Sequence, residues 1–317
     1  MIRWIAVLIL MLAPVVTLAQ TDASLLFNSW RGKSQVEAQG EFTLFGRATV
    51  DADRSSASLW EAQSHGRWRI DTSRDINPSL GYDWTHLEIG GNHRILPRQL
   101  DDASVAIASP LAQYDGWFAA GLLGLGYAGD NSFGNSRAWY GKADLFIGKQ
   151  LKNGDALVFT LEYDGSRTFF PDVPLPGVAY SGHLGTQVDY VLGFPLDSLE
   201  WRISDQLIFS AAWFLTTDFD ITLAYQVTPQ WQIFGHYVSN ELAFHVDQMP
   251  HDRRLLFFEQ RVESGVKWSP CKGADLVGAV GYGFGRSFSQ GFDDRNLNKI
   301  TDLSDEPYLR AALELHF

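Results

Sequence analysis

Cysteine is almost missing from this chain: Cys271 stands alone among 317 residues. One thiol cannot form an internal disulfide, and Cys271, in the turn-like Ser269-Pro270-Cys271-Lys272-Gly273, has no neighbour that would make it a nucleophile or a metal ligand. It also lies too far from the start of the chain to carry a lipid anchor. Long apolar runs are missing as well. Beyond the first twenty residues the longest spans about Gly116 to Tyr127, short of the ~18 residues of a spanning helix and interrupted by glycines. Positive charge is scarce: 25 Lys and Arg face 37 Asp and Glu, a net −12. That balance argues against binding nucleic acid or acidic lipid head groups through bulk electrostatics.

The chain does open with a leader. Arg3 gives a positive start, Trp4 to Ala13 is apolar and ends at Pro14, and Thr17-Leu18-Ala19 offers small residues for cleavage. The reading is a signal peptide over 1–19, a periplasmic or lumen segment over 20–40, and one large unit over 41–317. Within it, aromatics at 14% and 29 glycines coexist with 20% charged residues, a mixture suited to a wall with lipid on one side and water on the other. Without a spanning helix, such a chain enters a membrane as strands closed into a barrel, since open backbone edges are not tolerated in lipid.

The period supports this. Leu157, Phe159, Leu161 and Tyr163 alternate with Thr160, Glu162 and Asp164, and Phe219, Ile221, Leu223, Tyr225 and Val227 alternate with Asp220, Thr222, Ala224 and Gln226. From Phe258 to Trp268 the contrast is largest: Glu259, Arg261, Glu263 and Lys267 share one face, Phe258, Val262, Val266 and Trp268 the other. Helical spacing would scatter those charges around an axis. The expected fold is all-β, an antiparallel up-and-down transmembrane β-barrel of about 12 strands, with roughly 10 to 14 admissible. Val188–Phe194 and Leu199–Ile203 are read as one strand interrupted at Pro195.

Links alternate in length. Lys152–Asp155, Thr228–Gln230 and Ser269–Ala274 are short and turn-rich; Asp130–Ser136, Arg167–Gly185, Phe244–Asp252 and Ser289–Glu306 are long. Short turns belong to the periplasmic side of outer-membrane barrels and long loops to the outside, so both termini are expected to face the periplasm.

The chain closes with Leu309, Ala311, Leu313, Leu315 and Phe317 alternating with Tyr308, Arg310, Ala312, Glu314 and His316. This ending resembles the last strand of bacterial outer-membrane barrels, whose assembly signal is matched by Arg310, Ala312, Leu315 and Phe317, with Ala312 where glycine is usual. Gly193-Phe194-Pro195, Leu199-Glu200-Trp201-Arg202 and Asp305-Glu306-Pro307-Tyr308-Leu309-Arg310 are similar to stretches of an uncharacterised outer-membrane barrel family, a domain of unknown function. The resemblance implies location and fold, with the barrel assembly machinery and periplasmic chaperones as partners in biogenesis, and it supplies no activity to transfer.

Chemistry-bearing constellations are few. The eight histidines form no visible Ser, His and acid arrangement, and no G-x-S-x-G occurs. Asp294, Asn296, Asn298, Asp302 and Asp305 are spaced like a calcium loop, but Lys299 stands where the turn needs glycine and Asp305 replaces the bidentate glutamate. A solvated acidic loop is the plainer reading, with no metal and no cofactor expected. Gly281, Gly283 and Gly285 alternate inside a strand, as close packing asks. Trp139, Trp201, Trp213, Trp231 and Trp268 read as interfacial anchors.

The best functional lead is inward charge. Period two places Arg47, Glu61, His65, Arg67, Arg69, Lys142, Asp144, Glu162, Glu200, Arg202, Glu259, Arg261, Glu263, Lys267, Arg310 and Glu314 on the lumen face. Such a lining suits a channel or transporter for small solutes in the bacterial outer membrane. A structural barrel acting through its external loops and a membrane-embedded lipid hydrolase are the alternatives. Sequence leaves the oligomeric state open.

Overall fold

The computed structural model describes residues 25, 30, 34–70, 78–214, 218–247 and 249–317. The leader read over 1–19 lies outside the described residues. Alternating segments form β1 (Val36–Val50), β2 (Ser55–Arg69), β3 (Ser79–Gly91), β4 (Gln99–Tyr114), β5 (Trp117–Gly129) and β6 (Trp139–Gln150). Next come β7 (Ala156–Asp164), β8 (Leu175–Leu184), β9 (Val188–Phe194), β10 (Leu196–Arg202), β11 (Leu207–Phe214) and β12 (Asp218–Thr228). The chain ends with β13 (Trp231–Phe244), β14 (Arg254–Cys271), β15 (Ala274–Gly291), β16 (Asn298–Asp302) and β17 (Glu306–His316).

From β1 to β15 each strand pairs antiparallel with the next, and β17 pairs with both β15 and β1. The result is a closed barrel of sixteen strands, with β16 added to the upper part of β15 outside the ring. This corrects the expectation of about 12. Part of the difference is β8, which falls inside the stretch Arg167–Gly185 read as a loop. Pro171, Pro174, Pro176 and Gly177 suggested a break, yet Pro176 sits one residue into β8, opposite Leu161, where a missing N–H is tolerated. Another part is Pro195. It divides two strands rather than interrupting one: its peptide bond with Phe194 is cis, and β9 and β10 fold back on each other around it.

The ends of the wall differ. Val36 and Phe317 meet at one end, called near, where Phe317 N–H donates to Val36 O at 2.9 Å. The near links 115–116, 229–230 and 272–273 are tight turns. Asp115 and Gly116 both have positive φ, 47° and 75°, the combination of a type I′ hairpin turn. At the far end, links run to 130–138, 165–174, 245–253 and 292–305. Outward-facing Val105, Leu123, Phe159, Leu192, Ile233, Val280 and Leu309 form an exposed apolar belt, the surface hydrocarbon requires. Trp201, Trp231 and Trp268 sit at the near ends of their strands, and Trp139 and Trp213 at far ends. Trp231 stacks on Trp268 at 5.6 Å and Trp213 on Phe219 at 5.8 Å.

A sixteen-strand wall encloses more space than a few side chains fill, and here one half is packed. At the far end Phe45, Val50, Leu59, Leu87, Ile89, Leu100, Phe244, Leu255, Phe257, Phe288 and Tyr308 form a core inside the barrel. It brings β1 to β5 against β13 to β17. His245 N–H, just past β13, donates to Ala128 O of β5 at 2.9 Å, although the two strands stand eight apart around the ring. On the other side the wall is low: β9 and β10 have 7 residues each, against 18 in β14 and in β15.

Candidate functional site

The low half encloses the site. A cavity of about 720 Å³ extends from the far rim at Phe194, Pro195, Leu196, Phe214 and Asp218 to Gln39, Lys267 and Glu314 near the other end. Its apolar lining, Phe146, Val158, Val191, Ile208, Ala212, Phe234 and Val238, comes from β6 to β13, which also contribute Lys142, Glu162, Glu200, Asp218, Asp220 and His236; β14, β17 and β1 to β4 contribute Glu41, His65, Asp83, Asp102, Arg261, Glu263, Lys267, Arg310 and Glu314.

The charged wall is cross-braced from strand to strand. Arg310 reaches Glu41 at 3.0 Å and donates through Nε to Glu263 at 3.0 Å, while Tyr308 O–H donates to Glu263 at 3.0 Å. His236 lies between Glu263 and Asp220, at 3.3 and 3.2 Å. Lys267 pairs with Glu314 at 2.8 Å and Lys142 with Asp164 at 3.0 Å. Further toward the far end Arg261 bonds both Glu61 and Glu259 and lies over the Phe45 ring at 5.1 Å. Alternating signs on adjacent strands offset the desolvation that any one buried charge would suffer.

Of the residues placed on the lumen face by period two, His65, Lys142, Glu162, Glu200, Arg261, Glu263, Lys267, Arg310 and Glu314 line the cavity. Glu61 and Glu259 are buried behind Arg261, and Asp144 is buried on β6. Arg67 pairs with Glu37 at 2.7 Å at the near end, and Arg67 and Arg69 lie over the Trp30 ring at 4.3 and 4.5 Å. Arg47 is a correction: a register shift between Leu44 and Arg47 reverses the alternation, leaving Arg47 exposed while Ala48 and Val50 turn inward. Arg202, the last residue of β10, is exposed at the rim and pairs with Asp189 and Glu200 at 3.3 and 2.9 Å.

The last strand places Arg310 in the cavity and Ala312 in the wall interior, while Phe317 is exposed beside Val36. The acidic loop divides among a short helical turn at Asp294–Asn296, β16 and a link; Asp302 pairs with Lys299, and Asp305 accepts from Gly285 N–H. Among the described residues no group of three or more His, Cys, Asp and Glu converges as a metal site. The glycine ladder has a packing role: a Cβ on Gly281 would fall 2.4 Å from the Tyr308 ring.

Asp83, Asp102 and Glu41 also reach the cavity but were missed as site residues. Asp83 alternates with Tyr82 and Trp84, the signal used elsewhere along the chain. The apolar far core was missed too. Its sign is the run Leu255-Leu256-Phe257-Phe258, apolar on both faces.

The far mouth is tied by loops. Arg254, 2% exposed, donates to the carbonyls of Ser166, Arg167 and Phe292 at 3.0, 2.9 and 2.9 Å. Arg137 donates to Asp247 O and Met249 O, each at 3.1 Å. Burial, with Arg254, Arg137 and His251 adding to it, lowers His245 to about 4, and burial beside Asp247 raises the Asp130 carboxyl.

Antiparallel pairing around a full ring defines a β-barrel. No family model and no curated relative matches the sequence. Solved structures similar in fold include the Pseudomonas putida toluene transporter TodX, with 8% identity, TM-score 0.35 and 89% of each chain covered. An outer-membrane channel from Pseudomonas putida F1 shares 10% identity over 95% of this chain and 100% of that one, TM-score 0.38. The translocator domain of the autotransporter NalP from Neisseria meningitidis shares 9% over 90% and 89%, TM-score 0.34. These neighbours are outer-membrane barrels. At such scores they bear on nothing beyond architecture, which the strand pairing of this chain establishes by itself.

Proposed function

We propose that this protein is an outer-membrane channel for small solutes, with its near end in the periplasm. The observation that supports the reading is the cavity itself, about 720 Å³ of lumen spanning from the far rim beside Phe214 to Glu314. A barrel serving as a wall alone gains nothing from leaving half its interior unfilled, because unfilled volume forfeits packing. Export depends on the leader over 1–19, and insertion on the assembly machinery reading the strand that ends in Phe317. Charged residues on β14, β17 and β1 hold water and polar groups in the path, and the wall from β6 to β13 keeps the path wide.

Purified protein in planar bilayers tests the reading. Discrete conductance steps are expected, reduced when Ile208 or Ala212 is replaced by Trp, whose bulk would enter the cavity. A folded barrel that passes no ions and no solute into vesicles would overturn it.

A further inference from the structure

The cavity joins an apolar patch to an excess of carboxylates, and the combination defines a class of occupant. Val158, Val191, Ile208, Phe234 and Val238 form an apolar patch on β7 to β13, set among Thr160, Ser198, Ser210, Thr222 and Gln232 of the same strands. Around the cavity as a whole nine Asp and Glu line the space against four Lys and Arg, with Glu162, Glu200, Asp218 and Asp220 on the same strands as the apolar patch. A third observation lies on those strands. Ser198 of β10 lines the cavity and is 5% exposed, and its Oγ has no hydrogen-bonding partner among the described residues. A buried hydroxyl left unpaired is unfavourable, and a polar group arriving with an occupant would satisfy it.

We infer that the cavity binds a small cationic amphiphile, its apolar body against Val158, Val191, Ile208, Phe234 and Val238 and its positive head among the lining carboxylates, whose excess comes from Asp83, Asp102, Glu162, Glu200, Asp218 and Asp220. The inference rests on the cavity being the path of passage proposed above. An apolar body gains by leaving water for the Val and Phe wall, and each methylene buried there adds to affinity. The excess of carboxylates sets the sign of the head, because an anionic head would meet like charge in a space partly shielded from solvent.

The test titrates the full barrel in nanodiscs with alkyltrimethylammonium ions from butyl to octyl, using empty nanodiscs as the reference and alkyl sulfates as the anionic series. Affinity is expected to rise roughly two- to fourfold per methylene, with each sulfate at least about tenfold weaker than the ammonium of equal length. Phe234→Asn should flatten the chain-length dependence while the barrel keeps its heat-modifiable migration on gels. Ser198→Ala should leave alkylammonium affinity within about twofold and weaken binding of alkylammoniums that carry a chain hydroxyl. Equal affinity for both series, absence of chain-length dependence, or absence of binding would each overturn the inference. Conductance of the same preparation separates the two readings: binding without current removes the channel alone, and current without binding removes the cationic amphiphile alone.

Discussion

The two halves of this barrel are made from the same alternating strands and end in opposite states. Around β13 to β15 and β1 to β5 the strands have 13 to 18 residues and the far interior is packed with Phe, Leu, Ile and Val. Around β7 to β12 the strands are short and the interior is cavity. Height accounts for the difference. At about 3.3 Å per residue, 18 residues make roughly 60 Å of strand, and 7 make roughly 23 Å. The tall strands extend beyond any hydrocarbon layer and must bury their upper faces against each other. Strands β9 to β11, with 7, 7 and 8 residues, fall short of the ~9–11 usual for a spanning strand and have no upper portion to contribute.

The contrast is open to direct attack, and the largest effect lies in the tall half. Arg261→Ala would leave Glu61 and Glu259 buried without their shared cation, and about 3–5 kcal/mol is expected to be lost, read as a shift in urea unfolding from vesicles. Arg261→Met with Glu61→Gln and Glu259→Gln should recover much of it. Next come matched truncations in the two halves. Phe257, 2% exposed and stacked on Phe288 at 4.6 Å, should cost about 3–5 kcal/mol when changed to Ala. Ile208→Ala in the low half enlarges a space that is already empty, so a loss below about 1 kcal/mol is expected. Equal losses in the same unfolding assay would erase the distinction between the halves.

A smaller effect concerns pH at the seam between them. His245 is held neutral, lowered to about 4, chiefly by burial and then by Arg254, Arg137 and His251. A depressed histidine contributes stability above its unfolded value near 6.5, and that contribution is lost as pH falls from about 6.5 toward 4. Asp130, raised by burial and by Asp247, acts in the opposite sense, since a raised carboxyl favours the folded form as pH falls. With histidine dominant, proteolysis of 245–253 and open-channel current should both increase at pH 5, and His245→Phe should abolish the increase. The smallest effect is topological. Cys271, exposed at the end of β14 beside the tight near turn, should resist an impermeant maleimide on whole cells and react once the outer membrane is permeabilised.

How much of this was legible depends on whether the information is local. Alternation is local, so Glu259, Arg261 and Glu263 could be placed on one face from their spacing alone. A shift of register is not: nothing in Phe45-Gly46-Arg47 announces that the pairing with β2 slips there and turns Arg47 outward. Strand β8 was hidden because Pro176 and Gly177 carry the marks of a loop, and its two strand neighbours override them. Contact between His245 and Ala128 joins residues far apart in sequence on opposite walls, a matter of how the ring is flattened. The cavity follows from that flattening together with the low wall, and neither is written in a window of ten residues.

Leu25 packs against Ala106, Ala108 and Leu122, residues of β4 and β5 whose neighbours Val105, Ile107, Leu123 and Leu125 face outward. A piece of chain that precedes β1 therefore lies within the ring that β1 completes with β17 through nine residue pairs. The small side chains of Ala106 and Ala108 leave the room that Leu25 takes up, so the lead-in to the first stave is part of the cask's filling.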